Sequence, residues 1–384
     1  MARICIENIA LVTQNEICEN YCILLQDETI EAVFPLEQKP VLKDAVTVNG
    51  QGALAMPGLI DAHIHGMGGY GPELGTPEAL QEMSLILARQ GVTAFCPTLY
   101  CARPEVMERL LARLAPVIGQ EKGARILGFH LEGPFISPDK PGAMKPQDIV
   151  SPDVTILARL YEAAQGHIAI VTLAPELENI APVIDFCLQH KILPQAGHTN
   201  ATYDEFMAGV HKGVSHATHA FNAMRAFNHR EPGAAGAVLM QPEVSCEMIA
   251  DGVHVHPQVL AFLQRVKAPD KLVLITDALM PTAQTRGPLL ANGEEVVLEG
   301  GVWRRAADRV IAGSALTLYR GIKNLTDYGY PLSQAVRCAT YNPACLLKLS
   351  RVGQLAAGFQ ADVTLLRRDD FSPQVTFVRG KRIE

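Results

Sequence analysis

The sequence predicts an α/β protein: a (β/α)₈ barrel of the TIM type with a small β-sandwich domain built from both chain ends. Between residues 57 and 349, eight short apolar segments alternate with longer segments of helical periodicity, which is the repeat of such a barrel. Both chain ends instead carry short apolar runs between polar turns, which are typical of strands. A doubly wound sheet fits less well, because no Gly-x-Gly-x-x-Gly motif follows the first strand.

The small domain is predicted to consist of residues 1–56 and 350–384, and the barrel domain of residues 57–349. We expect the short strands of the C-terminal tail to pair with the N-terminal strands, so that one small sheet is built from both chain ends. The predicted strands of this domain lie around Ile4, Ile6 and Ile9 and at Tyr21–Leu25, Thr29–Val33, Val363–Leu366 and Val375–Val378.

The barrel elements follow in order along residues 57–349. The eight barrel strands are predicted at Ala55–Ala62, Val92–Thr98, Arg125–Glu132, His167–Ala174, Lys191–Gly197, Gly213–His219, Val244–Ala250 and Lys271–Thr276. Helices are predicted at Pro77–Gln90, Pro104–Ile118, Pro152–Gln165, Glu178–His190, Tyr203–Lys212 (with Asn200 as the cap), Gly313–Tyr328 and Ser333–Leu347. Residues of about 285–312 interrupt the alternation and predict a short β insertion.

Composition excludes several classes of partner. The 384 residues carry 33 Lys and Arg against 40 Asp and Glu, a net charge of −7, so a nucleic-acid-binding surface is not expected. No secretory signal or run of about 18 apolar residues is present, so we expect no membrane contact. The nine cysteines show no Cys-x-x-Cys spacing. Scattered thiols without a signal predict a reduced, cytoplasmic protein.

Side chains that can bind metal or transfer protons lie at the ends of six predicted strands. They are His63 and His65 after strand one, Glu132 ending strand three, His198 after strand five, His219 ending strand six, His254 after strand seven and Asp277 ending strand eight. The C-terminal ends of all barrel strands meet at one face, so we expect these side chains to converge there. This pattern predicts a metal-dependent hydrolase.

His63 and His65 are the first metal motif along the chain. Side chains alternate between the faces of a strand, so both imidazoles point the same way, about 7 Å apart. A single His-x-His pair is more often two polar residues at a strand–loop junction. Here the other strand ends favour metal binding instead.

Two carboxylates complete the predicted chemistry. Glu132 ends an apolar strand, where a carboxylate is costly unless it is paired or bound to metal. Imidazoles and a carboxylate hold a divalent ion such as Zn²⁺, which lowers the pKa of bound water and polarises a carbonyl. Asp277, at the mouth of a buried strand, suits a general base that later acts as the acid. The predicted reaction is hydrolysis of an amide or a related bond.

Several motifs identify a family resemblance. The segment Pro57–His65 resembles the opening motif of the amidohydrolase superfamily, and Gly353–Val363 resembles its return into the small sheet domain. Strand four has no lysine that could bridge two metals, which argues against a dihydroorotase- or hydantoinase-like enzyme. Within the superfamily, the chain resembles the N-acetylglucosamine-6-phosphate deacetylases at His130–Phe135, Val171–Glu176, Ala196–Ala201, Ala217–Met224, Arg230–Gly233, Ile249–His254 and Thr276–Ala278.

The resemblance implies roles for individual residues. It implies that Glu132, His198 and His219 bind metal and that Asp277 is the catalytic acid and base. His63 and His65 add a second potential metal position, so one or two divalent ions per subunit are implied, with Zn²⁺ first and Fe²⁺, Mn²⁺, Co²⁺ or Ni²⁺ as alternatives. The substrate-binding residues it implies are Ala143, Asn222, Ala223, Arg230, Asp251, His254, Ile311, Ala312 and Gly313.

The resemblance also implies a phosphorylated amino-sugar substrate and a homodimer, in which the Arg230 loop reaches across the interface. Met144 stands near the sugar, where relatives often carry a histidine. Three functions therefore stay open at this point: deacetylation of N-acetylglucosamine 6-phosphate, hydrolysis of another N-acyl substrate such as N-acetylgalactosamine 6-phosphate, and a non-catalytic barrel scaffold.

Overall fold

The structure, a computed structural model, describes residues 3–42 and 44–384 and contains three sheets. In chain order its strands are β1 (Arg3–Val12), β2 (Ile17–Gln26), β3 (Thr29–Pro35), β4 (Ala45–Asn49), β5 (Leu54–Pro57), β6 (Leu59–Ile64), β7 (Val92–Leu99), β8 (Arg125–Ile126), β9 (Phe129–Glu132), β10 (Ile168–Leu173), β11 (Leu193–Ala196), β12 (His216–Ala217), β13 (Ser245–Ile249), β14 (Leu272–Ile275), β15 (Leu290–Ala291), β16 (Glu294–Glu299), β17 (Val302–Arg305), β18 (Ile311–Ser314), β19 (Val363–Leu366), β20 (Pro373–Val378) and β21 (Lys381–Arg382).

Helices connect the strands between residues 77 and 346. They are α1 (Pro77–Arg89), α2 (Pro104–Leu114), α3 (Val154–Ala163), α4 (Ile180–Gln189), α5 (Tyr203–His211), α6 (Gly233–Met240), α7 (Pro257–Val266), α8 (Leu318–Asp327), α9 (Leu332–Cys338) and α10 (Tyr341–Leu346). Short 3₁₀ turns lie at Leu36–Gln38, Pro72–Leu74, Ala115–Val117, Pro146–Asp148 and Pro269–Lys271. In the described ranges, no helix has the length and apolar content needed to span a bilayer.

The predicted (β/α)₈ barrel is confirmed. Its strands lie in the order β6, β7, β9, β10, β11, β12, β13 and β14, and every neighbouring pair is parallel. Beyond the last strand, the backbone N–H of Asp277 donates to the carbonyl of His63 at 2.9 Å, which brings β14 beside β6. The ring of strands is therefore nearly closed, and all its C-terminal ends face one side.

Along each barrel strand, side chains alternate between pointing outward to the helices and pointing into the barrel. On β13, Cys246 and Met248 pack in the large apolar cluster that includes residues of the surrounding helices. The residues between them, Ser245, Glu247 and Ile249, have the opposite parity and point into the barrel. Several inward positions on other strands are also polar and buried: Thr98, His130, Thr172 and Gln195. The barrel interior below the mouth is therefore polar.

The small domain from both chain ends is also confirmed as a sheet. Its strands follow the order β21, β20, β19, β5, β1, β2 and β3, and β4 pairs with β1 beside β5. The two chain ends meet where β19 pairs antiparallel with β5, with Val363 opposite Pro57. One apolar cluster contains buried residues of both ends, such as Ile23 and Phe377.

Some predicted boundaries are wrong. The strand predicted at Ala55–Ala62 divides at Gly58 into β5 of the end sheet and β6 of the barrel. A Cβ at Gly58 would lie 2.0 Å from the Thr93 hydroxyl oxygen. The backbone can pass this close to Thr93 only because glycine has no side chain. The sixth barrel strand is much shorter than predicted, since β12 contains two residues. The helix predicted at Ser333–Leu347 is two helices, α9 and α10.

Several helices differ from the prediction as well. The α5 cap is Thr202, not Asn200, because Thr202 and Glu205 form a capping box. The helix predicted at Gly313–Tyr328 begins at Leu318, after β18. The prediction missed α6 and α7. Most of α6 is apolar on every side and buried, so it has no amphipathic period to detect.

Candidate active site

The predicted metal-binding and proton-transfer residues lie together at the C-terminal ends of the barrel strands. A cavity of about 300 Å³ opens above them, a size typical of small-molecule sites. They belong to the ends of five barrel strands, with His63 and His65 both at the end of β6, so the barrel itself sets their spacing. The residues at this floor are His63, His65, Glu132, His198, His219 and Asp277.

Glu132 is the centre of the floor. Its Oε1 lies 3.2 Å from Nε2 of His198, 3.0 Å from Nε2 of His219 and 3.5 Å from Nε2 of His63. Its Oε2 lies 3.1 Å from Nε2 of His65. Four imidazoles therefore converge on one carboxylate that is 2% exposed.

Asp277 lies beside this carboxylate. Its Oδ1 is 3.4 Å from Nε2 of His65 and 3.5 Å from Nε2 of His63. Two compact sets of ligand atoms result, and within each set the atoms lie within 4.8 Å of one another. One set is His63, His65 and Asp277, and the other is Glu132, His198 and His219.

The backbone at the floor is unusual. His198, His219 and Asp277 have φ values of 49°, 26° and 50°, in the left-handed region that non-glycine residues seldom adopt. Each such residue costs about 1–3 kcal/mol and is typical of functional sites. Gly142 leaves room for one of them, because a Cβ there would lie 2.9 Å from Cε1 of His198.

Hydrogen bonds on the far side of two imidazoles test whether a metal ion fits. Nδ1 of His65 lies 3.2 Å from the Thr98 carbonyl, and Nδ1 of His198 lies 3.0 Å from the Lys140 carbonyl. A carbonyl can only accept, so each Nδ1 carries the proton and, in the neutral ring, each Nε2 presents a lone pair. These lone pairs face Glu132. A divalent cation between them would replace this repulsion with coordination, so the residues fit a metal ion.

The charges at the floor stabilise one another. Burial alone would raise the pKa of Glu132, but the neighbouring side chains of His63, His198 and His219 hold it well below its usual range. Burial likewise opposes ionisation of Asp277, yet the neighbouring side chains of His65 and His63 lower its pKa. Both carboxylates are therefore ionised at neutral pH.

The β insertion forms one wall of the cavity. Glu294, Arg305 and Ile311–Gly313 line it, and the Lys145 ammonium donates to the Asn292 carbonyl at 2.8 Å. The insertion is fixed to the barrel by the Trp303 indole, which donates to Thr282 at 2.9 Å. This wall makes the site a pocket with defined sides.

Tyr100 also lines the cavity. Its ring stacks on the His65 imidazole, with centroids 3.8 Å apart and planes 2° from parallel. Tyr100 belongs to the same apolar cluster as buried Met144, which lines the cavity too. The stacking restricts the orientation of the His65 ring.

Comparisons with known proteins agree with this geometry. A sequence model described as "Amidohydrolase family" matches residues 54–383. The chain belongs to the amidohydrolase family.

Individual relatives of this amidohydrolase match it over almost its whole length. It is 33% identical over 376 residues to N-acetylglucosamine-6-phosphate deacetylase of Bacillus subtilis (strain 168), covering 95% of this chain and 93% of the relative. It is 32% identical over 359 residues to N-acetylgalactosamine-6-phosphate deacetylase of Escherichia coli O157:H7, covering 93% of each. A mutant N-acetyl-D-glucosamine-6-phosphate deacetylase of Mycobacterium smegmatis in complex with N-acetyl-D-glucosamine-6-phosphate is similar at a TM-score of 0.91 and 30% identity, covering 100% of both chains.

Most residues predicted to bind substrate lie around the cavity of this amidohydrolase. Its lining includes Ala143, Asn222, Ala223, His254, Ile311, Ala312 and Gly313. Asp251 is not in the lining but lies behind His254, with its Oδ2 2.5 Å from Nδ1 of that ring. Arg230 lies outside the cavity, on an exposed loop. Within one chain, Arg230 therefore does not line this cavity, and its predicted contact with substrate stays a prediction.

Sequence reasoning missed several residues of the site, among them Glu247, Tyr100 and Arg305. Glu247 contacts Nδ1 of His63 from below, at 3.1 Å. Tyr100 stacks on His65, and Arg305 supplies a guanidinium to the cavity wall. Of these three, only Glu247 could have been noticed in the sequence. It is the one carboxylate in a buried five-residue strand, where an acid is unusual, and its place in the alternation points it into the barrel.

Proposed function

We propose that this protein is a metal-dependent deacetylase that hydrolyses N-acetylglucosamine 6-phosphate to glucosamine 6-phosphate and acetate. The observation that carries the proposal is the convergence of Glu132, His198, His219 and Asp277 at the floor of a cavity of small-molecule size. Relatives named for this reaction match almost the entire chain, which supports the same chemistry here. A non-catalytic scaffold would have no need of two buried carboxylates among four imidazoles.

We propose that Glu132, His198 and His219 hold one divalent ion and that His63, His65 and Asp277 offer a second position. Zn²⁺ suits imidazole and carboxylate ligands, and Fe²⁺, Mn²⁺, Co²⁺ or Ni²⁺ are the alternatives. A bound ion supplies two effects: it lowers the pKa of water and polarises the acyl carbonyl.

Asp277 performs the proton transfers in this proposal. Its carboxylate accepts a proton from the attacking water while the water oxygen bonds to the acyl carbon. The same carboxyl group then returns the proton to the amide nitrogen as the carbon–nitrogen bond breaks. The products are acetate and the free amine. Oδ1 of this carboxylate lies 3.4 Å from Nε2 of His65, at the edge of the proposed metal-binding set.

The phosphate is proposed to bind near His254. Burial disfavours the charged ring, but the hydrogen bond and charge of Asp251 raise the pKa of His254 above its usual range. A cationic imidazole donates a charge-assisted hydrogen bond to phosphate from its free Nε2. Asn222 and Ala223 line the same cavity, and Ala143 with Ile311–Gly313 is proposed to surround the sugar ring.

Arg230 can contact substrate only if a second subunit brings it there, so its proposed role requires the homodimer. Mixing tests this directly. Asp277→Asn and Arg230→Ala homodimers are each expected to be weak, whereas mixed dimers contain one site with both wild-type residues. Recovery of acetate release after subunit exchange supports the shared site. An absence of recovery despite exchange contradicts it.

N-acetylgalactosamine 6-phosphate is a second candidate substrate. The relative named for that sugar is 32% identical, against 33% for the Bacillus subtilis relative, so overall similarity does not separate the two.

We also propose a cytoplasmic location, which the nine free cysteines support because thiols stay reduced there.

Acetate release by protein of known metal content tests the proposed function. The panel contains both N-acetylhexosamine 6-phosphates and unphosphorylated N-acetylglucosamine. A charge-assisted hydrogen bond contributes about 1.5–3 kcal/mol, so kcat/KM is expected to be about 10- to 150-fold higher for a phosphorylated sugar. Equal rates with and without phosphate contradict the phosphate site. No acetate from any sugar contradicts the deacetylase.

A further inference from the structure

Glu247 is a fully buried carboxylate for which the proposed reaction has no use. It lies in the middle of β13 and points into the barrel, directly below the metal-binding floor, with a side-chain exposure of 0%. An ionised carboxylate loses several kcal/mol of hydration on burial, so its partners must compensate for that loss. Those partners indicate what the residue does.

Three nitrogen atoms surround the carboxylate. Its Oε2 accepts from the backbone N–H of His219 at 2.9 Å and lies 3.1 Å from Nδ1 of His63. Its Oε1 accepts from the side-chain amide of Gln195 at 3.1 Å. One oxygen atom therefore contacts residues of both ligand sets, the side chain of His63 in one and the backbone of His219 in the other.

The contact with His63 assigns a tautomer. An ionised carboxylate can only accept, so Nδ1 of His63 carries the proton and the neutral ring has its lone pair on Nε2. That nitrogen has no hydrogen-bond partner among the described residues. It lies 3.5 Å from Oε1 of Glu132 and 3.5 Å from Oδ1 of Asp277. A buried lone pair facing two carboxylate oxygens is arranged to bind a cation.

We propose that Glu247 is a positioning residue that holds His63 in the tautomer and orientation that bind a metal ion, and that links this imidazole to the position of His219. Carboxylates behind metal-bound imidazoles act in this way, and their loss typically weakens metal affinity about 10- to 100-fold. The inference rests on the metal site of the proposed function but not on its substrate. The competing arrangement is an inert ion pair between Glu247 and a protonated His63 that never binds metal.

A graded pair of variants separates these arrangements. In Glu247→Gln the amide oxygen can still accept from Nδ1 of His63, so the tautomer is kept and only the charge is lost. Glu247→Leu removes the acceptor, so the ring is free to rotate or change tautomer. Asp362→Asn is the matched control, because Asp362 is another buried acid and its side chain is bound by Arg125, at 2.6 Å, and by the backbone N–H of Arg379, neither of which belongs to a ligand set.

The measurement is the number and affinity of bound Zn²⁺ ions, by competition with a chromophoric chelator on folded, metal-stripped protein without substrate. We expect Zn²⁺ affinity to fall about 10- to 100-fold in Glu247→Leu, to fall less in Glu247→Gln, and to stay within threefold of wild type in Asp362→Asn. Wild-type stoichiometry and affinity in both Glu247 variants would overturn the inference, as would an equal loss in Asp362→Asn. If Glu247→Leu does not fold, Glu247→Met, which keeps the length of the side chain but has no oxygen acceptor, takes its place with the same expected loss. Substrate is absent, so failure of the deacetylase proposal would appear separately, as wild-type protein that binds metal but releases no acetate.

Discussion

Replacement of Asp277 by Asn is expected to stop catalysis with almost no effect on the fold. The two side chains have the same shape, and Asn also tolerates the left-handed backbone that Asp277 adopts at φ 50°. The amide oxygen can still occupy the place of Oδ1, 3.4 Å from Nε2 of His65. What the variant loses is the ability to accept and return a proton.

The size of the effect follows from that loss. General acid–base catalysis contributes about 10²- to 10⁴-fold, or about 2.7–5.4 kcal/mol of transition-state stabilisation. Asp277 acts twice in the proposed reaction, so we expect kcat to fall about 10³-fold, near the middle of this range. KM should change little, because the carboxylate does not bind the phosphate or the sugar ring.

The assay is steady-state acetate release, with metal content measured on the same samples. Asp327→Asn on the exposed face of α8 is the control for a lost carboxylate, since its partner is Lys323 on the same helix. A kcat within threefold of wild type at unchanged metal content would refute the role of Asp277. A loss fully explained by missing metal would show that Asp277 acts as a ligand rather than as a base.

Three further predictions concern phosphate, metal and stability. His254→Gln should raise KM about 10- to 150-fold for phosphorylated sugars and little for unphosphorylated ones. Asp251 raises the pKa of His254 above 6.5, so the affinity for phosphate should persist at low pH and fall as the pH rises through that higher pKa. In a profile of KM against pH, Asp251→Asn should move this fall to lower pH. Chelation should abolish activity and lower the melting temperature, since an ion at about 1,000 times its Kd stabilises by about 4 kcal/mol, and readdition should restore both. Lys267 should be structural, because its ammonium donates to the carbonyls of Val238, Gln241 and Val244. Lys267→Met should therefore lower the free energy of unfolding by about 2 kcal/mol in urea titrations. An unchanged unfolding midpoint would contradict this role.

The barrel could be predicted from the sequence because its strands are buried on both faces. Such strands appear as short apolar runs with helical segments between them, and a polar residue at the end of a run is conspicuous. Glu132 and Asp277 are examples, and the barrel order alone brings them within reach of the same imidazoles. Because the C-terminal ends of all the parallel strands lie at one face of the barrel, the other strand-end residues could be expected at the same site.

What could not be predicted depends on contacts between distant parts of the chain. The exposed position of Arg230 is set by the path of a loop, for which periodicity carries no information. Arg305 reaches the cavity only because the β insertion lies over the barrel mouth. Tyr100 follows an apolar strand and is itself a common core residue, so its stacking on His65 had no sequence signal.

The pair His63 and His65 shows where a motif stops being informative. Spacing places both imidazoles on one face, but it does not say which nitrogen of each ring carries the proton. In this structure a backbone carbonyl fixes that proton for His65 and the Glu247 carboxylate fixes it for His63. An inward carboxylate on the seventh strand is therefore what makes His63 able to bind a metal ion. It follows that a barrel with the same pair but an apolar residue at this position should bind metal at the pair more weakly, a difference that no inspection of the pair itself would reveal.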